Sequence, residues 1–384
     1  MGPTRSTSLR RPVRAGPTRS TSLRTPVRAS PLWGALVSRS RAWAELLRLP
    51  ALFTVPGDAL SGAAAVGARP DSRTLLAIGS SLCLYEAGMA LNDWADRAED
   101  AAERPHRPLP SGRVHPAAAF TAACALTGAG LALAARAGRP ALTVAVPLAA
   151  TVWAYDLALK HTPCGPAAMA TARALDLVLG AAATTGRTRA ALPSAALLGT
   201  HTLAVTVVSR QETKGGSPLA PLAALTTTAL LSRLLTHRPA GIPLDRPSAT
   251  GLDGADGEAT APSRPVSGPV PATAEPAAAG RERLRPAHAR RTTPPRSADS
   301  AWSPARALTT TLAATYAATA ARPYFHATLN PSPPLTQRAV GGGIRATIPL
   351  QAALSARSGA GLTALLIAGL APLGRRFGRK VSVT

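Results

Sequence analysis

From residue 50 onward, long runs of Ala, Leu, Val and Gly alternate with short polar breaks. Several runs lack the charged stripe that a soluble amphipathic helix shows at every turn. They cover 50–68, 72–92, 115–135, 140–159, 165–186, 190–208 and 217–236, and the texture returns at 302–328 and 346–373. A helix that crosses a bilayer needs about 20 mostly apolar residues, and each of these runs approaches that length. Ala and Gly dominate them, which permits close helix–helix contact in lipid. The pattern predicts an all-α polytopic membrane protein with about nine transmembrane helices. A soluble Ala-rich bundle is the alternative, and the missing charged faces argue against it.

Two stretches break the texture. Residues 2–15, GPTRSTSLRRPVRA, recur at 16–29 with Thr25 in place of Arg11. So polar and Pro-rich a duplication predicts a disordered basic tail over 1–45. Its Arg/Ser-rich start, acid-free as far as Glu45, also fits an organelle transit peptide, although Pro12 and Pro26 would break that helix. A second stretch, 238–301, is rich in Pro, Ala, Arg and Ser and reads as a disordered linker. Seven helices over 46–237 then hold the candidate chemistry, and 302–384 adds two more and a basic end. Arg357 is expected to split the last run, and Asn330-Pro-Ser-Pro-Pro to form a rigid turn after the eighth helix.

Composition changes the picture little. Of 384 residues, 43 are Lys or Arg and 19 are Asp or Glu, giving a formal net charge of +24. Such a balance suggests nucleic acid or an anionic membrane surface. The charge lies mainly in the tail and linker, and no helix shows a basic face with base-reading residues, so no nucleic-acid partner is expected. Three cysteines without a CxxC pair exclude a disulfide scaffold; Cys83 and Cys124 read as small packing residues. With the N-terminus inside, the loops 94–114, 155–164, 209–216 and 329–345 carry more Lys and Arg than those opposite, which places them on the cytoplasmic side.

Chemistry concentrates where the second run ends, in LNDWADRAED followed by AAERPHRPLPSGR. On a continuous helix Asp93, Asp96 and Asp100 fall within about 60° of one another, with Asn92 beside them. Three converging carboxylates repel unless a cation lies between them, and oxygen-only ligands favour Mg²⁺. A solvated helix end is the plainer reading. Arg104, Arg107 and Arg113 follow at once in a Pro- and Gly-punctuated loop, and carboxylates for metal beside guanidinium groups for phosphate make a diphosphate site. Elsewhere Asp58, Glu86, Arg173 and Asp176 are charges inside apolar runs. Arg173 and Asp176, three apart on one face, are expected to form a structural ion pair.

The run NDWADRAED fits NDxxDxxxD, and together with Arg104 and Arg107 it resembles the first aspartate motif of the UbiA-type intramembrane prenyltransferase superfamily. The resemblance covers roughly 45–236 and 302–373 and implies a bundle of the nine helices around a central cavity. It implies Mg²⁺-dependent transfer of a prenyl group from a prenyl diphosphate to an acceptor in the bilayer, with the metal held by Asn92, Asp93, Asp96 and Asp100. It implies also that Tyr155 and Lys160, in WAYDLALK, meet the charge on the leaving diphosphate. A second acidic pair is expected after the sixth helix, where the chain reads SRQETKGG over 209–216. Only Glu212 can serve there as a carboxylate ligand, and Arg210 and Lys214 could contact phosphate directly. That departure leaves open an alternative, a non-catalytic membrane carrier or presenter of a prenylated or lipid-diphosphate metabolite. The bias to Ala, Arg, Pro, Gly and Thr suggests a GC-rich genome, hence a bacterial inner membrane; acceptor, chain length and oligomeric state are not readable.

Overall fold

The computed structural model describes residue 2 and residues 31–212, 216–237 and 303–381, and every regular element among them is helical. Most of the expected tail, Lys214 and the expected linker lie outside the described residues. Helix α1 (Pro31–Leu46) begins inside the stretch expected as tail. Its reason is local: Pro31 suits a first helical position, and Leu, Val and Trp recur at helical spacing behind it. Arg48 then turns the chain with a left-handed backbone, φ 49° and ψ 44°, into a 3₁₀ turn over Leu49–Thr54.

Helix α2 (Pro56–Ala65) has only 10 residues, so the first apolar run is a 3₁₀ turn and a short helix rather than one span. Helix α3 (Ser72–Ala95) starts on a capping box: Asp71 accepts from the Thr74 N–H at 2.9 Å, and the Thr74 hydroxyl accepts from the Asp71 N–H at 3.0 Å. The short α4 (Arg97–Glu103) follows, then α5 (Pro116–Ala137) and α6 (Arg139–Ala154). A π-helical turn, Tyr155–Leu159, extends α6, and α7 (Gly165–Thr185), α8 (Leu192–Ser209) and α9 (Leu219–Thr236) complete the part before the linker. Helices α10 (Pro304–Leu329), α11 (Pro333–Arg357) and α12 (Gly361–Val381) follow it.

Among the described residues six helices are long and apolar enough to cross a membrane: Ser72–Ala95, Pro116–Ala137, Arg139–Leu159, Gly165–Thr185, Arg189–Ser209 and Leu219–Thr236. The expected count of nine is therefore not reproduced by length and composition. Residues 329–345, expected as a loop, are mostly helix, because α11 starts at Pro333 and stays regular through Gly341-Gly342-Gly343. Neighbours explain this: α11 packs against α2, α8, α9, α10 and α12. The chain does break after Arg357, with Gly359 at φ 84°, but into helices of 25 and 21 residues. The turn at Asn330 is as expected, with extended backbone at Asn330 and Ser332.

Small residues draw α2 and α7 together. A Cβ at Gly62 would collide with the Leu177 carbonyl, and one at Gly180 with the backbone of Ala59. This close crossing holds Asp58 beside Arg173, whose Nε lies 3.0 Å from Asp58 Oδ2. The expected Arg173–Asp176 pair is not formed. Asp176 instead accepts a short hydrogen bond from Ser81, because Arg173 turns toward α2 and donates to the Thr54 carbonyl at 3.1 Å. Gln351 of α11 joins the same knot, donating to Asp58 Oδ1 at 2.7 Å and to Thr54 at 2.8 Å. Of the two cysteines read as packing residues, Cys83 is half-buried and Cys124 faces outward.

Candidate functional site

The polar ends of α3, α6 and α8 gather at one end of the bundle. Helix α3 stops at Ala95 and α4 begins at Arg97, with Asp96 between them at φ −84° and ψ 5°. The three aspartates thus do not share one unbroken helical face, as the sequence spacing predicted. Asp93 and Asp100 stay together and are both buried. Arg107 Nη1 lies 2.7 Å from Asp100 Oδ2 and 3.7 Å from Asp93 Oδ1, while Arg104 reaches Asp100 at 3.5 Å. Asp96 turns the other way and makes a close ion pair with Lys160, with His161 Nε2 at 3.8 Å.

Asn92 lines a cavity of about 300 Å³ together with Arg48, Tyr155 and Asp156 at the end nearest the aspartates. The walls are apolar, from Leu84, Met89, Leu148, Val152 and Met169, and Ser81, Arg173 and Asp176 lie at the far end. Along α3, Ser81 and Asn92 are 11 positions apart, which at 1.5 Å per residue is about 16 Å. A charged head at one end and a greasy chain along the walls suit this distribution.

The α8 end joins the same face by its backbone contacts. Arg210 donates a short hydrogen bond to the Thr162 carbonyl and a long one, 3.4 Å, to His161. Its guanidinium therefore secures the loop after Lys160. Gly216 N–H donates to the Pro331 carbonyl at 3.3 Å, tying the α8–α9 link to the α10–α11 turn. Burial pushes the Glu212 carboxyl above the usual carboxylate range, and the nearby Arg104 guanidinium opposes that rise. Lys214 is outside the described residues, so its expected phosphate contact has no structural counterpart.

Two contributors were not expected. Arg48 enters from the turn before the 3₁₀ segment, and its Nη2 donates to Asp93 Oδ1 at 3.1 Å. Nothing in its sequence neighbours marks it, since only the fold brings residue 48 to residue 93. Asp156 is 4% exposed and accepts from Asn92 Nδ2 at 3.2 Å. Its signal was an acid at the last turn of an otherwise apolar helix. The remaining loop is fastened from outside by Arg113, whose Nη1 lies 2.6 Å from Glu45 of α1.

The donor chemistry fits a hard divalent cation. Asp93 and Asp100, which share Arg107, and Asp156 beside Asn92 offer only oxygen ligands, the kind that hard divalent cations take. Asp93, Asp96 and Asp100 are partnered by Arg and Lys, which a bound phosphate would compete for, and Asp156 by the Asn92 amide. A separate group, Asp96, Glu99 and His161, brings its ligand atoms within 4.8 Å, with Glu99 and His161 exposed.

Residues 52–236 match the UbiA prenyltransferase family. A digeranylgeranylglyceryl phosphate synthase from Methanopyrus kandleri is 35% identical over 130 residues, covering 32% of this chain and 45% of the relative. One from Methanothrix thermoacetophila is 35% identical over 122 residues, covering 31% and 45%. The chain thus spans less than half the length of these curated relatives. A UbiA homologue from Aeropyrum pernix K1 superposes with a TM-score of 0.50 at 15% identity, over 79% of this chain and 96% of that one. At that identity the likeness shows a shared fold.

Proposed function

The chain carries a UbiA prenyltransferase family domain over residues 52–236, and from that premise we propose that it transfers a prenyl group from a prenyl diphosphate to an acceptor within the membrane, using Mg²⁺. One observation carries the reading. Asp93, Asp96 and Asp100 of the first motif pair with Arg104, Arg107 and Lys160, next to the Asn92 that lines one end of an apolar cavity. Among the described residues six helices are long and apolar enough to cross a bilayer, so the cavity belongs to an integral membrane protein.

In the structure each of these cations rests on a carboxylate: Arg104 and Arg107 on Asp100, Lys160 on Asp96. A diphosphate offers them more oxygens in better geometry, so they move to it and release the carboxylates as metal donors. Mg²⁺, when bound, offsets the charge that builds on the departing diphosphate. Lys160 supplies positive charge at the same place, and the Tyr155 hydroxyl, on the cavity wall, donates a hydrogen bond. Leu84, Met89, Leu148, Val152 and Met169 keep water from the allylic carbon as its bond to oxygen breaks. The acceptor's nucleophile then bonds to that carbon. Arg210 serves by holding the 161–162 loop and with it Lys160, and Glu212 sits beside Arg104.

The relatives' name gives the first acceptor to try. Full-length protein in detergent is incubated with geranylgeranyl diphosphate, geranylgeranylglyceryl phosphate and Mg²⁺, or with EDTA in place of the metal. Metal-dependent appearance of the doubly prenylated lipid supports the reading and identifies the acceptor. Product from another acceptor in a membrane extract supports prenyl transfer and rejects this lipid. Tight donor binding with no turnover on any acceptor overturns transfer in favour of a carrier.

A further inference from the structure

The sequence lacks the second acidic pair at 209–216, where Glu212 stands alone. The fold offers a different carboxylate. The Lys160 N–H donates to the Tyr155 carbonyl at 2.9 Å, five residues back, which makes the turn after α6 a π-helical one. Such single turns often mark functional positions because they re-aim side chains. Here the turn sends Leu157 outward, 52% exposed, and Asp156 inward.

Asp156 differs from every aspartate of the first motif. Asp93 is held by Arg48 and Arg107, Asp100 by Arg104 and Arg107, and Asp96 by Lys160. Among the described residues, no basic nitrogen lies within ion-pair distance of Asp156. Its Oδ1 accepts from the Asn92 amide, and its Oδ2 has no hydrogen-bond partner among the described residues. That second oxygen lies along the cavity wall opposite Gly88, 3.7 Å from where a Cβ on that residue would stand. The side chain is 4% exposed, and its second oxygen is open to the cavity, where it can take a cation. Because Asn92 spends its Nδ2 on Asp156, its own Oδ1 is left as an oxygen donor beside it.

We infer that Asp156 and Asn92 form a divalent-cation seat on the cavity wall, with Asp156 supplying the carboxylate that the α8 end lacks. This deepens the proposed function and rests on it for the identity of the substrate. Asp93 and Asp100, which do not line the cavity, hold Arg107, and Asp100 also holds Arg104, until a diphosphate draws those cations away. Glu212, alone beside Arg104, is dispensable for the cation.

The test reads binding rather than turnover. Free Mn²⁺ is titrated by electron paramagnetic resonance against the full-length protein in detergent, with the metal alone and with inorganic pyrophosphate. Wild type, Asp156→Asn, Asp156→Glu and Glu212→Gln are compared, and thermal unfolding in metal-free buffer confirms that each is folded. Loss of metal affinity by at least ~10-fold in Asp156→Asn is expected, with partial retention in Asp156→Glu and less than ~3-fold change in Glu212→Gln. Equal affinity in wild type and Asp156→Asn overturns the inference, as does a loss confined to Glu212→Gln. If Asp156→Asn fails to fold, the Asp156→Glu and Glu212→Gln pair decides by the same criterion. Mn²⁺ bound through Asp156 in a protein that transfers no prenyl group would sink the proposed function and leave the seat standing.

Discussion

Arg48 Nη2 lies 3.1 Å from Asp93 Oδ1, and it does so from a left-handed backbone that a non-glycine residue rarely adopts. The pair joins the turn before the 3₁₀ segment to the last full turn of α3, across 45 residues of sequence. Backbone strain of this kind persists where surrounding contacts hold it, often beside a functional site.

Replacing Arg48 separates the strain from the charge. Arg48→Ala and Arg48→Gly both remove the guanidinium from Asp93, but only glycine relieves the φ of 49°. Arg48→Gly is expected to be more stable than Arg48→Ala by about 1 kcal/mol, read as thermal unfolding in detergent. Both variants should bind inorganic pyrophosphate more weakly than wild type. Equal stability of the two would show that the turn is not strained.

The Arg173–Asp58 pair fixes the floor of the cavity. Asp58 is fully buried, and Arg173 and Gln351 are its partners from α7 and α11. Arg173→Met leaves that carboxylate without its counter-charge and should cost about 3–5 kcal/mol. Arg173→Met with Asp58→Asn together should recover much of the loss. A double variant no more stable than the single one would contradict an ion pair in this place.

Asp71 sets the acid limb of α3's stability. It lies outside the span, and the Thr74 N–H donating to it holds its carboxyl below the usual range. A carboxyl depressed in the folded state stabilises above its unfolded pKa, about 3.9, and the benefit fades as pH falls through the lower folded value. Asp71→Ala should therefore cost about 1 kcal/mol at neutral pH. The gap to wild type should narrow as the pH is taken below about 4. A gap that stays constant down to that acid range would rule out the carboxylate cap.

Much of this was legible in the chain, for physical reasons that differ by element. Helices α3, α5, α7, α8 and α9 follow their apolar runs closely, because a membrane helix must satisfy its backbone internally and announces itself by length. Helix α11 did not, since its early turns are polar and glycine-rich and are held helical by the five helices around it. The residues of the NDxxDxxxD motif were found by spacing, yet their directions were not: the break at Asp96 sends that side chain to Lys160 and leaves Asp93 and Asp100 with Arg107. Arg48 and Asp156 were missed as members of the site for the same reason. Their partners are distant in sequence, and only the tertiary fold brings residue 48 to residue 93 and residue 92 to residue 156. The Arg173 pairing was misread because three-residue spacing on a helix allows a contact without requiring it, and α2 offers a better-placed carboxylate.

The most direct measurement is diphosphate release from radiolabelled geranylgeranyl and shorter prenyl diphosphates, with Mg²⁺ and with EDTA, supported by a membrane extract as acceptor source. Wild type should release diphosphate only with the metal, and Asp96→Asn, which weakens the hold on Lys160 and removes a metal donor, should lower the rate by at least ~100-fold while remaining folded. Release that persists in EDTA, or an Asp96→Asn protein as active as wild type, would contradict a metal-dependent diphosphate site at the end of α3.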